Sequence, residues 1–130
     1  MCILPKHEDS VTEFKLLWCD SAKKTLCAFL NGRGGTTWFG LNDAGEPIGL
    51  AEPDVVSNAV TNTFRGMHPD ASAYFETHIE EVEGKPLVLV KVFPGKSTPY
   101  KVDVRGEGCR AYVRHGSSTY LASEEELLEL

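Results

Sequence analysis

The first third of the chain passes from a strand pattern to a helix pattern. Apolar residues occupy alternate positions across residues 11–18, which predicts a half-buried strand. After Asp20 or Ser21, either of which suits a helix N-cap, apolar residues recur at helical spacing as far as about Asn31. Glycines follow immediately and end this predicted helix.

The middle of the chain predicts a strand, a turn, a short strand and a second helix. The segment Thr36 to Leu41 has a strand composition, and Asn42-Asp43-Ala44-Gly45 has the residues of a tight turn. Pro47 to Leu50 predicts a short returning strand. Pro53-Asp54 then opens a helix that runs to about Arg65, with Val and Ala at helical spacing.

Strands dominate the remainder of the sequence. Gly84-Lys85 predicts a hairpin turn between a strand around Tyr74 to Ile79 and a strand rich in Val and Leu from Leu87 to Phe93. Two further strands are predicted at Tyr100 to Val104 and at Arg110 to Arg114.

The order of these elements predicts an α+β domain, with a mixed, largely antiparallel sheet and two main helices packed on it. A short C-terminal helix completes the prediction, because Ser123 and Glu126 have the spacing of a capping box. No repeat or linker divides the chain, so residues 1–130 are expected to form one domain. The helix at the chain end suggests that this domain is the N-terminal fragment of a longer protein.

Composition favours a cytoplasmic protein without a membrane segment. No apolar run approaches the ~20 residues of a membrane span, and the first residues are too short in apolar side chains for a signal peptide. The cysteines lack the paired spacing of a zinc site, and Cys27 is predicted to be plain core packing.

Charge is unevenly distributed. The net charge of -6 opposes a simple electrostatic nucleic-acid binder. However, basic residues dominate between Lys91 and Arg114, where only Asp103 and Glu107 are acidic. This segment is either one basic face or the ordinary solvated side of several strands. The basic side chains are Lys91, Lys96, Lys101, Arg105, Arg110 and Arg114.

The glycine-rich block Asn31-Gly32-Arg33-Gly34-Gly35 does not predict ATP binding. It follows a helix and precedes a strand, whereas phosphate-binding loops follow a strand and open a helix. A helix stop and a close backbone crossing explain these glycines better.

Three carboxylates are candidates for a divalent-cation site. Glu8, Glu13 and Asp43 converge if the first strand pairs with the second, and oxygen ligands of this kind suit Mg²⁺ or Mn²⁺. Glu8 and Glu13 are five residues apart and would point to opposite faces of a regular strand. Convergence therefore requires Glu8 to lie in a loop before the strand.

Several short blocks together resemble the AlbA-like domain of the Schlafen group. The family pattern begins with E-S-x-x-x-E-F-K, followed by a helix ending in A-F-x-N-x-x-G-G. A strand ending in G-V-x-D-x-G comes next, and Y-x-R-x-G-S-S lies near the end. The matching segments here are Glu8, Glu13-Phe14-Lys15, Ala28-Phe29-Leu30-Asn31, Gly34-Gly35, Gly40-Leu41-Asn42-Asp43-Ala44-Gly45 and Tyr112-Val113-Arg114-His115-Gly116-Ser117-Ser118. The chain departs from the pattern at Asp9, where the family often has Ser.

The resemblance implies RNA or DNA as the partner. Vertebrate Schlafen proteins of this kind are endoribonucleases that cut structured RNA with three carboxylates and a divalent cation. The residues here that match those acids are Glu8, Glu13 and Asp43. The vertebrate enzymes pair two such lobes into a clamp, so a homodimer is one possibility for this single lobe. Many bacterial members are instead described as predicted transcriptional regulators.

Other motif residues have two interpretations each. Lys15 either neutralises Glu13 or approaches a phosphate near the cation. Arg114, Ser117 and Ser118 either hold a backbone phosphate or belong to a hairpin whose hydroxyls satisfy local amides.

The resemblance therefore implies a nucleic-acid-binding domain of a transcriptional regulator. A metal-dependent endoribonuclease is the enzymatic alternative, and a non-catalytic oligomerisation or regulatory module is the third. The proposed catalytic residues are Glu8, Glu13, Asp43 and Lys15, with the three acids as metal ligands. The proposed nucleic-acid contacts are Lys91, Lys101, Arg105, Arg110, Arg114, Ser117 and Ser118.

Overall fold

The computed structural model describes residues 4–130 and confirms an α+β fold. Its strands are β1 (Thr12–Lys15), β2 (Gly35–Phe39), β3 (Phe75–Val82), β4 (Lys85–Val92), β5 (Val102–Val104), β6 (Gly108–Arg110), β7 (Tyr112–His115) and β8 (Ser118–Leu121). Its helices are α1 (Asp20–Leu30), α2 (Pro53–Arg65) and α3 (Glu124–Glu129). No helix among residues 4–130 is long and apolar enough to cross a membrane.

The main sheet has the strand order β1-β2-β4-β3. Strand β1 is parallel to β2, and the other two pairings are antiparallel. Two hairpins, β5–β6 and β7–β8, form separate two-stranded sheets. Strands β5, β7 and β8 all lie against α1, whereas α2 packs on β3 and β4.

Side chains divide between the two faces of the main sheet as the alternation of β4 requires. Val88, Val90 and Val92 belong to the main core cluster with α1 and α2, while Leu87 and Leu89 join a smaller cluster on the opposite face. The sheet therefore separates the helices from an outer surface.

Asn31 connects α1 to both hairpins. It lies just beyond the helix and is 6% exposed. Its side-chain amide donates to the carbonyl oxygens of Tyr100 and Tyr112, each at 3.0 Å, and its Oδ1 accepts from the Tyr100 amide at 2.6 Å. Since buried backbone groups need partners, this one side chain satisfies three of them.

The first predicted strand is too long. Strand β1 ends at Lys15, and Leu16 and Leu17 are exposed. Phe14 packs in the smaller cluster while Trp18 packs against the main one, so these two side chains do not share a face of one strand as predicted. The last residue of β1, Lys15, pairs with Phe39, the last residue of its partner β2.

Two other segments also differ from their predictions. Pro47 to Leu50 forms no strand, because Pro47 makes only an isolated bridge to Leu41. The strand predicted at Arg110 to Arg114 is divided at Ala111 into β6 and β7, which pair with β5 and β8 respectively.

The capping box of Ser123 and Glu126 is confirmed. Cys27 is buried in the main core cluster, as predicted.

Candidate functional site

A tight turn immediately before β1 brings Glu8 to Glu13. Asp9 and Thr12 exchange backbone hydrogen bonds of 3.0 and 3.4 Å, and the Asp9 Oδ1 accepts from the Val11 amide at 2.9 Å. An aspartate that bonds the backbone two residues ahead stabilises such a turn. Asp9, where this chain departs from the family pattern, thus has a local structural role.

The carboxyl groups of Glu8 and Glu13 lie within hydrogen-bonding reach of each other. Burial, the hydrogen bond to Glu13 and the charge of Glu13 raise the pKa of Glu8 to about 8. Burial also acts on Glu13, but its hydrogen bonds to Glu8 and Arg114 outweigh that effect and hold the pKa of Glu13 below its usual value. At neutral pH the pair therefore holds one proton and one negative charge.

Arg114 is the counterion of this pair. Its side chain is 5% exposed, and its Nη1 lies 3.0 Å from the Glu13 Oε1 and donates to the Thr119 Oγ1 at the same distance. Its Nη2 donates to the carbonyl oxygens of Asp9 at 2.9 Å and Thr12 at 3.3 Å. Both terminal amino groups of the guanidinium are committed to protein groups, and its Nε is buried without a hydrogen-bond partner among residues 4–130, so the group has little access to a backbone phosphate. The structure therefore places Arg114 in an internal ion pair, and its assignment as a phosphate contact stays a prediction.

Asp43 lies near the pair but is more open. It is an exposed residue in the turn after β2, and its charge contributes to the raised pKa of Glu8. Asn42 stabilises that turn, because its Oδ1 accepts from the amides of Ala44 at 3.0 Å and Glu46 at 2.9 Å. Among residues 4–130, no three acidic, His or Cys side chains stand at the distances of a preformed metal site.

The donor chemistry at this place nevertheless fits a hard divalent cation. Mg²⁺ is usually held by one or two carboxylates together with substrate phosphates, rather than by a complete cage of protein ligands. Glu8 and Glu13 supply such a pair of facing carboxyl groups. Lys15 is close enough for its charge to lower the pKa of Glu13, and its Nζ donates to the Ser21 Oγ at 2.9 Å.

The predicted basic residues fall into separate places. Lys101, Arg105 and Arg110 are exposed on or beside the β5–β6 hairpin, and Lys101 and Arg110 line one cavity of about 440 Å³. Lys91 instead alternates with Val90 and Val92 on β4 and therefore faces the outer side of the main sheet. The structure does not bring Lys91 to the hairpin.

Ser117 and Ser118 are exposed at the tip of the β7–β8 hairpin. They follow the ion-paired Arg114 in sequence, but their hydroxyl groups make no hydrogen bond within residues 4–130. They are therefore free to contact a ligand at this edge.

One contact at the basic hairpin was missed from the sequence. Lys24 on α1 makes an ion pair of 2.6 Å with Glu107, and that contact, with a hydrogen bond from Tyr112, lowers the pKa of Glu107. The two residues are distant in the chain, so only the packing of α1 against the hairpins reveals the pair. It neutralises one of the two acidic residues of the hairpin.

Comparison with known proteins finds a matching family and structures of similar fold. A family model described as Schlafen, AlbA_2 matches residues 8–123. The crystal structure of the DIP2311 protein from Corynebacterium diphtheriae is similar in fold, with 16% identity and a TM-score of 0.60. That likeness covers 92% of this chain and 26% of the C. diphtheriae chain, so the present chain spans about a quarter of that protein.

A second solved structure is more similar in sequence. It is the solution structure of the N-terminal domain of a putative ATP-dependent DNA helicase RecG-related protein from Nitrosomonas europaea, with 26% identity and a TM-score of 0.51. The likeness covers 83% of this chain and 78% of that one. No curated protein sequence matches the chain.

Proposed function

The chain belongs to the Schlafen AlbA_2 family, and from that membership we propose that it is a cytoplasmic nucleic-acid-binding domain that contacts phosphates through the β5–β6 hairpin. The observation that carries the proposal is the placement of three exposed cations, Lys101, Arg105 and Arg110, on or directly beside one hairpin. The similarity to the N-terminal domain of a protein described as a DNA-helicase relative supports DNA or RNA as the partner.

Local charge at the hairpin is more favourable than the net charge of the whole chain suggests. Glu107 is neutralised by Lys24, and Arg105 lies 3.7 Å from Asp20 while its side chain is 87% exposed. The Lys101 ammonium makes no ion pair within residues 4–130. Surface ion pairs of exposed cations contribute little free energy, so such cations can leave them and bind phosphates instead.

Alanine substitutions at the hairpin test this proposal. Lys101→Ala, Arg105→Ala and Arg110→Ala should each weaken binding of labelled DNA and RNA, and to a similar extent for unrelated sequences, because phosphate contacts carry no base information. The matched control is Lys85→Ala, which removes one exposed cation at the β3–β4 turn. If the hairpin variants bind as tightly as the control does, the hairpin is not the binding surface.

The family resemblance extends the proposal to gene regulation. Bacterial members are described as predicted transcriptional regulators, so we propose that this domain is the DNA-contacting part of such a regulator. Comparison of genomic fragments recovered with the wild type and with the Lys101→Ala and Arg110→Ala double variant would show whether this surface selects particular sites.

A second candidate function is metal-dependent cleavage of RNA, and the facing carboxyl groups of Glu8 and Glu13 favour it. These two residues would hold the cation, with Asp43 as the third, more open acid. A bound Mg²⁺ or Mn²⁺ would activate water and stabilise charge on the scissile phosphate. Arg114 holds Glu13 in place, and Lys15 contributes positive charge beside it.

Isosteric amide variants test this second function. Glu13→Gln and Asp43→Asn remove a charge while keeping the shape, so either should abolish chelator-sensitive RNA cleavage and leave RNA binding intact. Glu80→Gln on β3 is the control for loss of one carboxylate elsewhere. A single lobe contacts RNA from one side only, so the rate of RNA cleavage should rise if the chain forms a homodimer. A wild type that cleaves no RNA even as a dimer, with Mn²⁺ present, leaves the domain a binding or oligomerisation module.

A further inference from the structure

Glu8 and Glu13 face each other although their sequence separation opposes it. In a regular strand, residues five apart point to opposite faces. The chain avoids this outcome because it turns between Asp9 and Thr12 before β1 begins. Something must hold that turn, since an isolated turn of a few exposed residues is only marginally stable.

We propose that Arg114 is the positioning residue of the carboxylate pair: its guanidinium joins the Asp9–Thr12 turn to Glu13 and so holds Glu8 against Glu13. This inference rests on the cation site put forward above as the second candidate function. It assigns to Arg114 a role in shaping that site, in place of direct contact with nucleic acid.

The two ends of the guanidinium have different partners. Nη2 donates to the carbonyl oxygens of Asp9 and Thr12, the two residues whose backbones close the turn. Nη1 donates to the carboxylate of Glu13, the first inward-facing residue of β1. One planar group therefore fixes both the turn and the strand that follows it.

Arg114 is itself held by contacts with β8 and α1. Its Nη1 also donates to Thr119 on the neighbouring strand β8, and its guanidinium carbon lies 5.1 Å from the centre of the Phe29 ring on α1. These contacts bury the side chain between α1 and the β7–β8 hairpin. Only arginine has donors in the fixed fork that this arrangement uses, so lysine is not equivalent here.

Two roles of Arg114, neutralising the charge of the carboxylate pair and positioning the pair, predict opposite changes in cation binding when Arg114 is removed. If Arg114 only offsets negative charge, its removal should strengthen the binding of a cation to Glu8 and Glu13, because a repelling charge is lost. If Arg114 positions the pair, its removal should weaken cation binding even though the site becomes more negative. Arg114→Gln separates these two predictions, and Arg114→Lys separates geometry from charge.

The test measures Mn²⁺ binding to the full chain by calorimetry, with thermal unfolding as a check on the fold. Partners that orient metal ligands typically contribute a factor of roughly 10 to 100 in metal affinity. We therefore expect both Arg114→Lys and Arg114→Gln to weaken Mn²⁺ binding by about that factor. Arg65→Lys, an exposed arginine at the end of α2, is the matched control and should bind as the wild type does. Equal or tighter Mn²⁺ binding by both Arg114 variants overturns the proposal.

A second measurement keeps the inference testable without any cation. Amide hydrogen exchange at Asp9 and Thr12 reports the turn directly, because each of these amides donates across it. Arg114→Lys should speed exchange there while the amides of α1 keep their wild-type rates, and unchanged exchange at the turn overturns the proposal. If the wild type binds no Mn²⁺ but exchange responds in this way, the cation site fails and the positioning role stands. Thr119→Val removes one acceptor of Arg114 and should give a smaller change in the same direction if the Arg114 variants do not fold.

Discussion

Replacing Asn31 by alanine should be one of the more destabilising single substitutions in this domain. The variant deletes both donors to the carbonyl oxygens of Tyr100 and Tyr112 and the acceptor for the Tyr100 amide. All three backbone groups lie beside a residue that is 6% exposed, so water has poor access to replace the lost partner. The connection between α1 and the two hairpins would be broken at its centre.

The expected loss of stability follows from the number of hydrogen bonds. A typical intramolecular hydrogen bond contributes about 1 kcal/mol net, and an unsatisfied buried group costs about 1–3 kcal/mol. Three such bonds therefore give a decrease of about 3 kcal/mol in the free energy of unfolding. With a urea m-value of about 2 kcal/mol/M, the unfolding midpoint should fall by about 1.5 M.

Urea unfolding followed by circular dichroism measures this change. The control is Asn58→Ala, because Asn58 is exposed on α2 and its replacement should change the free energy of unfolding by less than about 0.7 kcal/mol, the span of helix propensities. Asn31→Asp is a second variant, which places a carboxylate oxygen against the carbonyl oxygens of Tyr100 and Tyr112. At neutral pH it should lower the free energy of unfolding at least as much as Asn31→Ala does. If Asn31→Ala loses no more stability than Asn58→Ala, the amide does not hold the hairpins to α1.

Two further predictions concern packing and pH. Gly35→Ala would place a Cβ 2.6 Å from the ring of Phe29, which is 1% exposed, so urea unfolding should show a decrease of about 1–3 kcal/mol in the free energy of unfolding. The Cβ of Gly32→Ala meets nothing nearer than 3.4 Å, so this control should be nearly neutral. Equal effects of the two variants would refute the packing argument. The Ser123 amide and His115 hold the pKa of Glu126 below its usual 4.5, so its contribution to α3 is present above that pH and is lost as the pH falls through the lowered value. The Ser123 amide donates to the Glu126 Oε1 at 2.9 Å, so its NMR shift should change more in acid for the wild type than for Glu126→Gln, and identical titrations of this amide would contradict this role.

Regular elements were predictable from sequence because their signals are local. The spacing of apolar residues in α1 and α2, the Val- and Leu-rich β4 and the capping box of α3 depend on neighbouring residues alone. The end of β1 was not predictable in this way. Alternation continues to Trp18, but the strand ends where its partner β2 ends, and the sequence of β1 does not contain that information.

The candidate site shows the same division. Motif spacing marked Glu8 and Glu13, and the need for a loop before β1 followed from their separation. The burial of Arg114 could not be predicted from the sequence, because arginine residues are mostly exposed in folded proteins. Its partner Glu13 lies 101 residues away in the sequence, so only the tertiary structure shows the ion pair.

The salt dependence of nucleic-acid binding tests the central claim most directly. If Lys101, Arg105 and Arg110 contact three phosphates, the logarithm of the binding constant should fall against the logarithm of salt concentration with a slope of about -2.7 on duplex DNA and about -2.1 on single strands. The triple alanine variant should bring this slope close to zero. A wild type that binds neither nucleic acid at low salt, or that binds with the same slope as the triple variant, would contradict the account.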